Sequence, residues 1–349
     1  MLPSKSRSPS RLRSRQGASV PEMFLVLALI ASAVGTIGYW HHSILQRNAP
    51  TAGASTEIGP NVPLHSVAIT PDRKHIYTTG LDGKVRTYSL ATQELLNELP
   101  LEYGYSRCLI CSPTGRQIIV GTVTGQLLMW DFGSSVSKPR TVKGHESEVL
   151  CGAFRPEGNF FVTSDKNGNC SAWSSRDLAP IWTMKNQTGT VTALTFSNDG
   201  RRLISGDMDG YLKTWDPTTG KLLSTCRVDN SQFDMLRRIV AVDDIPDSED
   251  VVVLAATGPI QRWNVSLGQC KRLFENQPSS NRCLALSPDG KTLASGATDG
   301  SISVWDVGSA VRLKTWSAHA SGVSNLWFAA DGSRFASVGW DGVMNVWPL

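Results

Sequence analysis

LALSPDGKTLASGATDGSISVWD spans residues 284–306, and its reading decides the fold. Three short runs of alternating or small apolar residues are separated by two glycine-bearing turns, Pro288-Asp289-Gly290 and Asp299-Gly300. Asp-Gly between such runs is a strong hairpin signal, because both residues accept positive φ. The period of two predicts strands with one face buried. A second copy, LTFSNDGRRLISGDMDGYLKTWD, covers residues 194–216 with its turns and its terminal Trp-Asp in the same places.

Working outward, one aromatic recurs per unit: Tyr88, Trp130, Trp173, Trp215, Trp263, Trp305 and Trp347, at intervals of 42, 43, 42, 48, 42 and 42 residues. Each is preceded by a turn pair: Asp82-Gly83, Thr124-Gly125, Asn167-Gly168, Asp209-Gly210, Thr257-Gly258, Asp299-Gly300 and Asp341-Gly342. Strand, turn, strand, turn, strand ending in the aromatic, then an outer strand makes a four-stranded antiparallel unit. Seven such units over residues 64–349 imply a ring of stacked sheets.

With Trp-Asp at 130–131, 215–216 and 305–306 and Gly144-His145 ahead of the third unit, this region resembles the WD40-repeat family. The resemblance implies an all-β, seven-bladed propeller that binds protein or peptide and does no chemistry of its own. The family's buried hydrogen-bond tetrad carries over complete only in blade seven, onto His319, Ser337, Asp341 and Trp347. Blade three has His145, Thr163 and Trp173, but Asn167 where the aspartate is expected. The last unit ends at Trp347-Pro-Leu349, directly after its third strand. By the family's register, residues 52–58 (AGASTEI) are expected to close the ring as the missing outer strand, within a 46–63 linker.

The other zones differ in composition. Residues 1–22 begin with a basic leader (Lys5, Arg7, Arg11, Arg13, Arg15) that has no acid before Glu22, and they read as a disordered tail. Met23–Trp40 is uncharged, and with Ile44 and Leu45 the 23–45 stretch approaches the roughly 20 residues that span a bilayer. It predicts one N-terminal transmembrane helix, with the basic end cytoplasmic and the ring on the extracytoplasmic side. The alternatives are a cleaved secretory signal with Ala31-Ser32-Ala33 as its cleavage site, or an organelle transit peptide. Gly17-Ala-Ser-Val-Pro-Glu22 ahead of the apolar run also resembles a prepilin or TadE-like class III signal. That resemblance makes Gly17 and Glu22 candidate processing residues and implies a pilus-like or secretion-machine component. Ser19-x-x-Glu22 equally spells a helix capping box.

Chemistry is scarce. The net charge of +4 resides in the leader, and the remaining 29 basic and 30 acidic residues leave a near-neutral body. Such a body argues against a nucleic-acid surface, which needs clustered cations. No metal-protease, nucleophile-elbow or phosphate-loop motif occurs in a fitting context. Cys108-Leu-Ile-Cys111 sits in a strand that turns residues three apart to opposite faces, so no metal is expected there. Asp243, Asp244, Asp247, Glu249 and Asp250 read as a solvated acidic loop. A cofactor-binding propeller enzyme would need polar groups on the channel-lining strands. Those strands carry Ser66, Cys108, Cys151, Ala193, Cys283 and Asn325 in one equivalent slot, so no cofactor is expected. Large apolar residues instead fall at the top-face turns: Trp340, Leu81, Tyr103 and Tyr105 on the neighbouring blades seven, one and two. These are the candidate partner-binding residues. Residues 229–238, with Phe233 and Met235, form a second candidate docking loop.

Overall fold

The computed structural model describes residues 62–132, 138–184, 189–228, 238–256, 258–274 and 281–349, all in the unit Asn48–Leu349. They form seven antiparallel sheets, six of four strands and a last one of three, each with its strands in chain order. Blade one comprises Leu64–Ile69, His75–Gly80, Lys84–Ser89 and Leu95–Pro100; blade six comprises Asn281–Leu286, Thr292–Ala297, Ser301–Asp306 and Val311–Ser317. The inner strands of the other blades are Ser106–Cys111, Val149–Phe154, Val191–Phe196, Ile239–Asp244 and Val323–Phe328. Each packs on the inner strand of the next blade, and Val323–Phe328 packs on Leu64–Ile69, so the ring is closed.

Alternation produces this arrangement. Second and third strands bury both faces between neighbouring blades, whereas outer strands such as Leu95–Pro100 are almost wholly exposed. The seven repeat aromatics are all buried, none more than 7% exposed. Closure between blades seven and one rests on an apolar cluster joining Leu64, Val67 and Ile76 to Ala336, Val338 and Met344. Ser324 Oγ donates to Leu64 O at 2.6 Å across the same seam, and Arg73 pairs with Asp331 on the lower face. Residues 52–58, proposed as the fourth strand of blade seven, lie outside the described residues, as do Gly17, Glu22, the 23–45 stretch and Phe233 and Met235. Among the described residues no helix is long and apolar enough to cross a membrane.

The top-face turns differ from expectation in one detail. All seven glycines have positive φ, from 67° to 94°, but none of the described residues before them does. Gly83 N donates to Gly80 O and Gly300 N to Ala297 O, closing a type I turn before the left-handed glycine. Only the glycine therefore needs its conformational freedom.

Candidate functional site

The tetrad in blade seven is complete. His319 Nδ1 lies 3.1 Å from both oxygens of Asp341, and His319 Nε2 lies 2.7 Å from Ser337 Oγ. Trp347 Nε1 donates to the same Ser337 Oγ at 2.9 Å. Burial opposes the charge on Asp341, but bonds from His319 and from the backbone N–H of Val343 and Ala320 outweigh it and hold the carboxyl below its ordinary range. Every polar atom of the set faces another member, so the tetrad is a structural brace.

Blade three corrects the sequence reading. Its missing aspartate is supplied two residues earlier by Asp165, whose Oδ2 is 3.4 Å from His145 Nδ1. Asp165 Oδ1 also accepts from the backbone N–H groups of Asn167 and Asn169. Thr163 Oγ1 joins His145 at 2.7 Å to Trp173 at 2.9 Å, as Ser337 does in blade seven. Blades one, four and five, which lack the histidine, use a residue two before the aromatic. Arg86 pairs with Asp82 and Glu98 in blade one, Lys213 with Asp207 in blade four, and Gln261 takes the Trp263 indole N–H in blade five. Blade two has Val120 where a hydroxyl would stand, and the Trp130 indole N–H has no partner.

The acidic segment is also not the solvated loop it resembles. Asp243 and Asp244 end the inner strand of blade five, beside a cavity of about 620 Å³ at the lower end of the channel. Asp243 Oδ2 accepts from Leu286 N of blade six at 3.0 Å, and Asp244 Oδ2 accepts from Asn198 N of blade four at 2.9 Å. Two consecutive carboxylates thus clamp blade five to both neighbours. Asp250 is buried and bound by Arg262 and Lys271, leaving only Asp247 and Glu249 exposed. Among the described residues no group of three or more metal-ligating side chains forms. All seven cysteines are free, and burial pushes the Cys111 thiol up to about 12.

Burial raises Asp243 to about 6 and Asp244 to about 7, each against hydrogen bonds that favour the charge. The unfolded chain releases these protons near pH 4 whereas the folded ring holds them, so stability is lost as pH rises from about 4 to about 7. Asp244→Asn keeps an acceptor for Asn198 N–H but cannot ionise. Its urea midpoint should gain on the native chain between pH 4 and pH 8 by the equivalent of about 1–3 kcal/mol. An unchanged difference would mean that Asp244 does not titrate in this window.

At the top face, Trp340 is 36% and Leu81 46% exposed. Trp340 lies across Gly322, where a Cβ would stand 3.1 Å from its ring, and the Arg282 guanidinium sits 4.3 Å above its centroid. Tyr105 faces His65 at 6.2 Å. Tyr103 instead packs onto the blade core with Leu99 and Leu101, so it contributes less surface than the sequence suggests. The turn Asp82-Gly83 abuts Gly104, which brings the Leu81 turn beside the Tyr103–Tyr105 loop.

Sequence reading missed the basic residues here. His65, Arg107 and Arg282 are the second residues of three inner strands, each at an irregularity in the strand register, and Arg238 directly precedes a fourth. Burial, with Arg107 and Arg282 close by, lowers His65 to about 4.

The pattern of the WD40 family, described as WD domain, G-beta repeat, matches residues 137–174, 178–216, 268–306 and 310–348. The chain is a WD40-repeat β-propeller. The WD40 match falls on blades three, four, six and seven, and the remaining three blades have the same strand order and buried aromatic. Similar proteins include apoptotic protease-activating factor 1 of Rattus norvegicus, 22% identical over 68% of this chain and 19% of that protein. Cilia- and flagella-associated protein 52 of Mus musculus is 22% identical over 65% of this chain and 36% of its own. Pre-rRNA-processing protein IPI3 of Candida albicans is 25% identical over 63% and 41%. The chain thus spans well under half the length of these relatives.

Proposed function

We propose that this WD40 ring is a non-catalytic interaction scaffold, docking a protein or peptide on its top face and tethered to a membrane by residues 23–45. The observation that carries the docking reading is the exposure of Trp340 and Leu81 on the turns of adjacent blades seven and one, beside Tyr105. Large apolar residues on a rigid turn lose little entropy on binding, and aromatic ones dominate interface energetics. Exposed apolar residues on outer strands, such as Leu313, lack that setting. The tether reading rests on the uncharged run from Met23 to Trp40 behind a basic leader, and it puts the ring on the extracytoplasmic side.

The test compares proteins cross-linked to the full chain, to Trp340→Ala and to Leu313→Ala in isolated membranes. A partner held at a hot spot should lose about 2 kcal/mol or more, roughly thirtyfold, on Trp340→Ala alone. A lowered melting temperature with unchanged partners would make Trp340 blade packing and remove the docking reading. In the same preparations, alkaline washing should leave the full chain in the membrane and release a chain beginning at Thr51. Retention of the shorter chain would assign membrane binding to the ring.

A further inference from the structure

The inner strands of blades six, seven, one and two lie side by side, and their second residues are Arg282, Ser324, His65 and Arg107. Blades three, four and five have Leu150, Thr192 and Val240 at this level, so the basic side chains are concentrated on one arc. Arg238 enters from the start of blade five's inner strand. One carboxylate meets the arc: Glu148 pairs with Arg107 at 3.1 Å. Among the described residues Arg238 and Arg282 have no carboxylate partner. Asp82, Asp299 and Asp341 on the neighbouring turns are engaged with Arg86, Ser301 and His319.

Two donor or acceptor atoms of the basic residues here are buried without hydrogen-bond partners, His65 Nε2 and Arg238 Nε, as is Oε1 of Glu148. Burial first, and then the nearby Arg238 and Arg107, depress the basicity of Arg282, so these cations lie within electrostatic reach of one another. Arg282 lies against the face of Trp340, and this stacking leaves its in-plane N–H groups free to bind an oxyanion.

We propose that His65, Arg107, Arg238 and Arg282 form an oxyanion-binding collar at the top mouth of the channel, where the docked partner inserts an acidic side chain of a peptide segment. This inference rests on the scaffold reading above and names the chemistry of its partner. A peptide fits better than a free anion because Trp340 and Leu81 stand exposed beside the collar, offering apolar contact to the residues flanking the acid. The oxyanion is the carboxylate of Asp or Glu or the phosphate of a phosphorylated residue, since both accept the guanidinium fork.

The test measures fluorescence anisotropy of labelled nonapeptide pools with a fixed central residue, titrated with the detergent-solubilised full chain. Pools centred on glutamate or phosphoserine should bind at least tenfold more tightly than one centred on lysine. Whichever of the two binds more tightly identifies the source of the oxyanion. Arg282→Gln should abolish the preference. Arg107→Gln, at an exposed side chain, serves as the second variant if Arg282→Gln does not fold. Inorganic phosphate should displace the bound pool more effectively than chloride at equal ionic strength. Equal displacement, or a preference unaltered in both variants, would overturn the collar. Binding that depends on Trp340 but not on the central charge would refute the collar and leave the scaffold reading standing. No binding by any pool at millimolar peptide would refute both.

Discussion

Ser337→Ala is expected to destabilise the propeller by about 2–4 kcal/mol, although it removes a single oxygen atom. Ser337 is fully buried, and its hydroxyl serves two partners. Asp341 holds the proton of His319 on Nδ1, so Nε2 is an acceptor and takes the Ser337 O–H at 2.7 Å. The Ser337 oxygen in turn accepts the Trp347 indole N–H. Alanine therefore leaves one buried donor and one buried acceptor unpaired, each costing about 1–3 kcal/mol less whatever relaxation recovers. Ser295 in blade six provides the internal comparison. Among the described residues it serves only Trp305 Nε1, at 3.0 Å, so Ser295→Ala should cost about half as much. Urea midpoints of the two variants, at unchanged slope, measure the difference. Equal losses would show that the histidine adds nothing to the brace. Blade two already carries the cheaper defect, with Val120 opposite an unpaired Trp130, which indicates that one orphan is tolerable in a ring of seven.

What the sequence made readable follows from how local each determinant is. A strand alternating in period two, a left-handed glycine and a buried aromatic are all specified within about 20 residues. The blades and the tetrad of blade seven could therefore be read directly. Asp165 could not, because a carboxylate two residues from its usual place reaches the same histidine by a different backbone path, and position-by-position matching sees only Asn167. Asp243 and Asp244 were hidden by three neighbouring acids, which mask the strand's alternation and suggest a loop. The arc of His65, Arg107, Arg238 and Arg282 was least readable, since its members stand far apart in the chain and meet only once blade seven closes on blade one. Comparing the second residue of every inner strand across the seven repeats would have found three of the four.

Gly300→Ala should be among the most damaging single-methyl substitutions on the top face, costing about 4 kcal/mol or more. Its φ of 82° lies in the left-handed region, which alone costs a non-glycine residue about 1–2 kcal/mol. The larger part comes from position. A Cβ there would stand 2.1 Å from His319 O and 2.7 Å from Ser321 O, both backbone atoms that no side-chain rotation can move. The turn cannot simply slide away either, because Gly300 O accepts the N–H groups of Ala318 and His319, each at 3.0 Å. Relief must shift His319 itself, which draws its ring away from Ser337 and Asp341 and so opens the brace of blade seven. Gly125 has the same relation to His145 O in blade three, again at 2.1 Å, and its alanine variant should behave alike. Gly83 is the control: its φ is 67°, but the nearest backbone oxygen is 3.2 Å from the added carbon. Gly83→Ala should therefore cost little beyond the dihedral penalty. Urea unfolding of the three variants is the measurement, with near-ultraviolet circular dichroism reporting the packing of Trp347. If Gly300→Ala loses no more stability than Gly83→Ala, the histidine loop is pliant, and the close packing of turn on loop does not hold the tetrad in place.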